Sequence, residues 1–485
     1  MLVPSRSDVS APTVASLAGT RATTPDASIW ENCREVDVPL TDVEGTLPPD
    51  LVGRLLRNGP AKRDLGSCFW DGDAMVRELS FQPGGKASYR GRYVETEKYL
   101  AEKHATRPLF RTAGTQRPGG MLSNAFRIPV SEPNTHLLPF AGKLLALHEG
   151  GHPVALDPIT LATHGPFHFD GKLSRLVTFA AHPHRDPETF DVFNFGVRGA
   201  GLGGPAVIGY RLTPQGRLVT IGELPLPSIT FMHDFAVTQN WLVFFVPPVA
   251  FSMARMLLGV GPVFDAFRWQ KGRAAQVLML SKDGTQTRRF EIEPMILGHV
   301  SATREQGDEV VVDFVRGPTW DKIGKGLYSY QTDGFDFTED MCQWRMRFDT
   351  RTKRVQSEEL CALPGDFPRG NETRALHARR FAYLAANPAP SMCGFFRGTL
   401  KLDLDTGRAE LFDFGQGAVT HEPIFVPARG ASSEDHGYLV QFVHNSARRA
   451  TDCAVFDARR VSDGPVCTLR LPVSAGMTFH GTWMA

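Results

Sequence analysis

A single corner recurs along this chain. Apolar, strand-like runs break at a short polar turn and come back, at Asp157 in "LDPIT", Thr213 in "LTPQG", Asp283 in "SKDG", Asp349 in "FDTRT", Asp405 in "LDTG" and Asp457 in "FDARR". Successive corners are 56, 70, 66, 56 and 52 residues apart. A loose period of that size, with one hairpin turn per unit, predicts divergent propeller blades rather than a sandwich. From Trp30 onward the sequence supports an all-β reading. Runs such as "ASYRGRYVETE" and "GTLKLDLDTGRAELFDFG" mix alternation with β-branched and aromatic residues, punctuated by Gly, Pro and Asp. Residues 1–28, rich in Ser, Thr, Ala and Pro, lack the apolar core of a signal peptide. They are expected to form a disordered tail, which leaves 29–485 as one propeller domain.

Composition removes several functional classes. The net charge is +1, and no basic tract interleaved with aromatics appears, so nucleic acid is not an expected partner. The seven cysteines are dispersed and never form a C-x-x-C pair, which argues for reduced thiols in a cytoplasmic compartment. No stretch offers about 18 uninterrupted apolar residues, the length of a spanning helix. "GAGLGG" (199–204) matches a dinucleotide fingerprint, but Pro205 and the strand-like "AVIGYRL" stand where the phosphate-binding helix must begin. It reads as a loop.

Among fifteen histidines, four stand at or just before a strand-like run: His182 in "FAAHPHRDPETF", His233 in "FMHDFAVT", His299 in "LGHVSATRE" and His480 in "TFHGTW". Their separations of 51, 66 and 181 residues suit one histidine on each of four blades, where innermost strands bring side chains to a common axis. His184 competes with His182, and spacing alone does not choose between them.

In these stretches the chain resembles the carotenoid cleavage oxygenases, a family that splits conjugated carbon–carbon double bonds with O2. The likeness runs from about Asn32 to the last residue. It includes "GRLLRNGP", "FWDGDAMV", "NTHLLPFAGKLLALHEGGHPVALDPITLAT", "AHPHRDPET", "MHDFAVT", "EPIFVPARGASSEDHGYLV" and "FHGTW". The resemblance implies a seven-bladed β-propeller with a loop and helical cap over an axial iron. It also implies one Fe2+ per chain held by His182 (not His184), His233, His299 and His480, with O2 as co-substrate. Neutral imidazoles suit a ferrous ion and leave coordination positions open for O2. With no carboxylate ligand, acids that accept the imidazoles' other N–H gain importance. By motif, Glu149 would support His233 and Glu422 would support His480. The third acid is usually Glu, but here Asp366 of "GDFPRG" stands opposite His299, one methylene short, so the backbone must move inward or a water intervene. The stretch after His299 also departs from the family's H-x-x-N-A-x-E. Thr135 of "NTHLL" corresponds to a residue near the family's open iron position and is the candidate catalytic neighbour.

The resemblance implies a substrate class as well. Stilbene cleavers of this family place a Lys just before the first supporting Glu and use a Tyr. Here His148 occupies the Lys position, and no Tyr occurs between 100 and 209. The expected substrate is therefore a small hydrophobic polyene, an apocarotenoid or carotenoid cleaved to two carbonyl products, with stilbene cleavage as the alternative. "WLVFFVPPVAFSMARMLLGVGPVFDAFRWQK" (241–271) is apolar, broken by prolines and carries two arginines. It is expected to form a peripheral membrane contact.

Overall fold

A computed structural model describes residues 28–62, 68–199, 203–329, 336–390 and 392–485. The expected tail lies almost wholly outside them, as do 200–202 of the glycine run. The strands assemble into seven antiparallel blades around an axis. From the axis outward, the second blade runs His136–Phe140, Lys143–Leu147, Val154–Leu156 and Thr163–Pro166, and the third to sixth repeat that four-stranded meander. Strands inside a blade are buried on both faces because each blade is covered by its neighbours: all six residues of Gly398–Asp403 are buried, Thr399, Lys401 and Asp403 among them. Outer strands such as Val355–Cys361 are largely exposed. Aromatics fill the gaps between blades, as where Phe195 of the third blade packs near Phe235 and Phe244 of the fourth.

The recurring corners all fall at one place, the turn from the third to the fourth strand of blades two to seven. Asp157 Oδ1 accepts the N–H groups of Ile159 and Thr160, and Asp349 does the same for Arg351 and Thr352. In the sixth blade the accepting residue is Asp403 rather than Asp405, which itself donates its N–H.

Two strands from opposite ends of the chain close the ring. Gly481–Met484 forms the innermost strand of the first blade, pairing with Gly53–Lys62. Val43–Gly45 forms the outer edge of the seventh, pairing with Cys467–Arg470. Each closing strand joins a blade built from the other end of the chain, which ties the first and seventh blades together. The short helices Gly120–Asn124, Met253–Leu257 and Trp320–Ser329 belong to the connections at one end of the axis and form the cap. The glycine run is followed by the strand Ala206–Leu212, as the sequence requires, and not by a helix.

Candidate metal centre and cavity

Innermost strands, or the residues just before them, carry the four histidines. His182 precedes His184–Arg185, His233 precedes Ala236–Val237, His299 lies within Ile296–Gln306, and His480 precedes Gly481–Met484. Ring nitrogens of His182, His233 and His299 lie within 4.8 Å of one another. His233 Nε2 is 2.9 Å from His299 Nε2, which is 3.2 Å from His480 Nε2. His184 turns elsewhere: its Nε2 meets Asp234 Oδ1 at 3.0 Å, and Asp234 also accepts the Val300 N–H. The bulged start of the His299 strand, where pairing slips between Leu297 and Ala302, helps aim that ring inward.

Carboxylates face the opposite nitrogens. His299 Nδ1 lies 2.7 Å from Asp366 Oδ1, His480 Nδ1 2.9 Å from Glu422 Oε1, and His233 Nδ1 2.5 Å from Glu149 Oε1. Glu149 Oε1 is also 3.1 Å from His182 Nε2. Asp366 reaches His299 directly, without a bridging water. Its strand is bulged between Asp366 and Arg369, and Phe367 adopts φ +58°, so the backbone departs from regular strand where the short acid makes its contact.

The donor set fits a divalent ion. An Nδ1–H given to a carboxylate leaves Nε2 as a bare lone pair, and lone pairs about 3 Å apart repel unless a cation lies between them. Burial, and then the surrounding imidazoles, hold His182 and His480 well below the usual histidine range, so both are neutral, the form that binds metal. For His299, burial opposes the charge but the Asp366 carboxylate outweighs it and lifts the group to about 9, so a cation that binds at its Nε2 must displace a proton from this ring.

His480 is fixed by the start of the chain. Phe479 N donates to Asn58 O and Asn58 N to His480 O, so the C-terminal segment runs against "RNGP". A Cβ on Gly59 would meet Met477 O at 2.2 Å, so only glycine allows that approach. Arg57, fully buried, donates to Thr478 Oγ1, Glu422 O and Phe479 O. Sequence reasoning missed Arg57, and also His136, whose ring centroid is 5.4 Å from that of His480. Burial first, then His480, pushes His136 down to about 3, and its Nδ1 donates to Ala181 O at 3.0 Å. The run "LLRNGP" carries one signal for Arg57: an arginine that directly follows two apolar strand residues, where a buried cation needs fixed acceptors.

A cavity of about 490 Å3 opens onto the histidines. Its wall is mostly apolar, with Trp70, Phe231, Phe264 and Phe267 on the cap side, and Met253 and Ile323 from the short helices. Thr135 lines it as a buried residue beside the centre, and its carbonyl accepts the His480 N–H. Connections of different blades supply this wall, so no local periodicity marked it.

The stretch 241–271 divides. Trp241–Val246 is a buried blade strand, contrary to a membrane face for that part. Met253–Leu257 has no buried residue, and Leu257 and Leu258 are exposed. They lie against a segment that sequence reasoning did not single out: Phe126 N donates to Leu257 O, and Leu122, Phe126 and Ile128 are 89%, 76% and 88% exposed. Arg111 ties the two segments by donating to Asn124 O, Arg127 O and Met256 O. Among the described residues no helix is long and apolar enough to cross a membrane.

Known proteins resemble this chain over most of its length. The chain is 28% identical over 465 residues to an apocarotenoid-15,15'-oxygenase of Synechocystis, covering 93% of this chain and 94% of that one. It is 28% identical over 483 residues to resveratrol cleavage oxygenase 1 of Aspergillus fumigatus, with 93% of each covered. The crystal structure of cobalt-substituted Synechocystis apocarotenoid oxygenase superposes with a TM-score of 0.86 at 26% identity, over 94% of this chain and 98% of that one. The family model described as retinal pigment epithelial membrane protein matches residues 27–485, and with the seven blades and the histidine cluster now in place, the chain belongs to that family, the carotenoid cleavage oxygenases.

Proposed function

We propose that His182, His233, His299 and His480 hold one ferrous ion and that the protein oxidatively cleaves a conjugated double bond of an apocarotenoid, giving two carbonyl products. The observation that carries this reading is the convergence of buried imidazole nitrogens, backed by carboxylates, at the end of an apolar cavity. Bound there, the iron supplies binding and activation of O2. The protein's residues do the rest. Glu149, Asp366 and Glu422 fix the tautomer and direction of their imidazoles. The aromatic wall takes an extended apolar chain out of water and holds a double bond against the centre. Thr135 narrows the approach beside His480. The exposed apolar group of Leu122, Phe126, Ile128, Leu257 and Leu258, with Arg127 and Arg255 nearby in sequence, rests on a membrane surface and receives the polyene from it. The setting is a peripheral one, on the cytoplasmic side.

Oxygen uptake by iron-loaded protein, measured with a long apocarotenal and with a hydroxystilbene, tests the reading. Faster uptake with the apocarotenal, accompanied by two shorter carbonyl products, is expected. Preferential stilbene cleavage moves the protein to the substrate class of its fungal relative, and uptake with neither substrate contradicts the reading.

A further inference from the structure

At the end of the axis away from the cap, one connection leaves its own blade and crosses to the far side of the ring. Residues 370–380 join Gly365–Arg369 to Phe381–Ala386, the first and second strands of the sixth blade. From there they reach the third and fourth blades. Leu376 packs into the core those two blades share, at φ +66°, a backbone region that favours glycine. Gln239 Nε2 donates to His377 Nδ1 at 2.9 Å, and His377 Nε2 lies 3.3 Å from Glu188 Oε1. Glu188 and Gln239 stand in the first-to-second-strand turns of their blades, so all three connections lie at the same end. A strap held by a part-exposed imidazole and a strained residue is a low-stability element. Above it the axis is lined with charge. His184 and Asp234 follow His182 and His233 on strands that run toward the strap. Arg369 Nε is 3.8 Å from Glu422 Oε1, and Arg369 Nη2 is 3.7 Å from Glu372 Oε1. The Glu372 side chain is 53% exposed, so this charged run meets water at its lower end.

We propose that the divalent metal enters and leaves through this charged floor rather than through the apolar cavity, with Glu372 and the His184–Asp234 pair as successive stations, and that the strap 370–380 opens to admit it. The inference rests on the four-histidine reading above. Chemistry separates the two routes. A hydrated cation crossing the cavity would shed water against an aromatic wall that offers nothing in return. On the floor, carboxylates and an imidazole replace water one ligand at a time. The field there also favours a cation: Asp234, Asp366, Glu372 and Glu422 outnumber Arg369 and Arg379, and adding Glu149 and Arg57 leaves the excess as it was. The apolar polyene finds the opposite preference, so substrate and metal approach the centre from opposite ends.

The test is the anaerobic exchange of bound iron for isotopically labelled Fe2+ in iron-loaded protein, with iron affinity measured in parallel by competition with a chelator. His377→Ala releases the strap and is expected to speed exchange by about fivefold, the worth of one ordinary hydrogen bond. Glu188→Gln, altered only at the exposed partner, moves the rate in the same direction. Glu372→Gln removes a charged station and slows exchange. Affinity stays at the wild-type value in all three, because a path changes loading and release by the same factor. Met256→Trp, on the cap helix at the cavity, leaves the exchange rate unchanged. Wild-type rates in the floor variants, rates that change only together with affinity, or slowed exchange in Met256→Trp overturn the proposal. If wild-type protein holds no iron, the metal-centre reading fails instead, and that first measurement tells the two failures apart.

Discussion

At the scale of single residues, Asp366 shows how the site accommodates a shorter acid. The sequence posed a choice between an inward backbone and a bridging water. The 2.7 Å contact, with the bulge and the positive φ of Phe367 beside it, answers with the backbone. Asp366→Ala removes the acceptor of the His299 N–H, and is expected to weaken iron retention by roughly 10–100-fold. Asp366→Glu gains nothing, because an added methylene enters a contact that is already at hydrogen-bond length. Iron affinity measured by competition with a chelator checks both variants, and unchanged affinity in the Ala variant reduces Asp366 to a turn residue. Glu132 supplies a pH test away from the metal. It is buried, and burial lifts its carboxyl to about 7 against the pull of Lys98. A folded pKa above the unfolded value means that folding favours the protonated form. That stability is fully present below the unfolded pKa, near 4.5, and is lost as pH rises through about 7. Glu132→Gln has no such titration. The thermal midpoint of wild type should therefore fall relative to the Gln variant between about pH 5 and 8, and parallel curves contradict the assignment.

At the scale of elements, much of the fold was legible because a turn must satisfy its own backbone. A short polar side chain at the corner accepts backbone N–H groups, two at Asp157 and Asp349 and one at Thr213, Asp283 and Asp457, so the signal survived where strand sequences diverged. The matching corner of the first blade, between Asp73–Gln82 and Lys86–Tyr93, passed unnoticed. It is built from Pro83, Gly84 and Gly85, with both glycines at positive φ and no Asp to mark it. The stretch 241–271 misled for a related reason: a blade strand buried on both faces and an exposed apolar helix have the same composition, and only packing separates them. The closing strand makes a sharper prediction. Gly481–Met484 pairs with Arg54 to Arg57, and Gly481 N donates to Glu422 Oε2. Deleting 480–485 removes an imidazole, unpairs the first blade and leaves Glu422 buried without His480. It should release iron and lower the thermal midpoint strongly. Deleting 484–485 keeps His480 and the Trp483 ring, 5.7 Å from Phe81, and should be mild. Equal behaviour of the two truncations makes His480 a bystander.

At the scale of the whole molecule, the ring of blades explains how residues 33 to 331 positions apart in sequence reach one centre, from Glu149 and His182 to Glu149 and His480. The sequence placed the histidines by motif, but not the cavity wall, which arises only when connections from separate blades are brought over one end of the axis. Exposed apolar residues gather on that same end. Replacing Leu257 and Leu258 by Asp should reduce binding to liposomes in a flotation assay while leaving iron content unchanged; retained binding assigns the patch another role. If these four histidines hold the metal, the iron content per chain of purified protein reports it. One iron per chain is expected for wild type, His184→Ala and His136→Ala, and a strong loss for His182→Ala, His233→Ala, His299→Ala and His480→Ala. Loss in His184→Ala equal to that in His182→Ala, or full iron in any of the last four, contradicts the account.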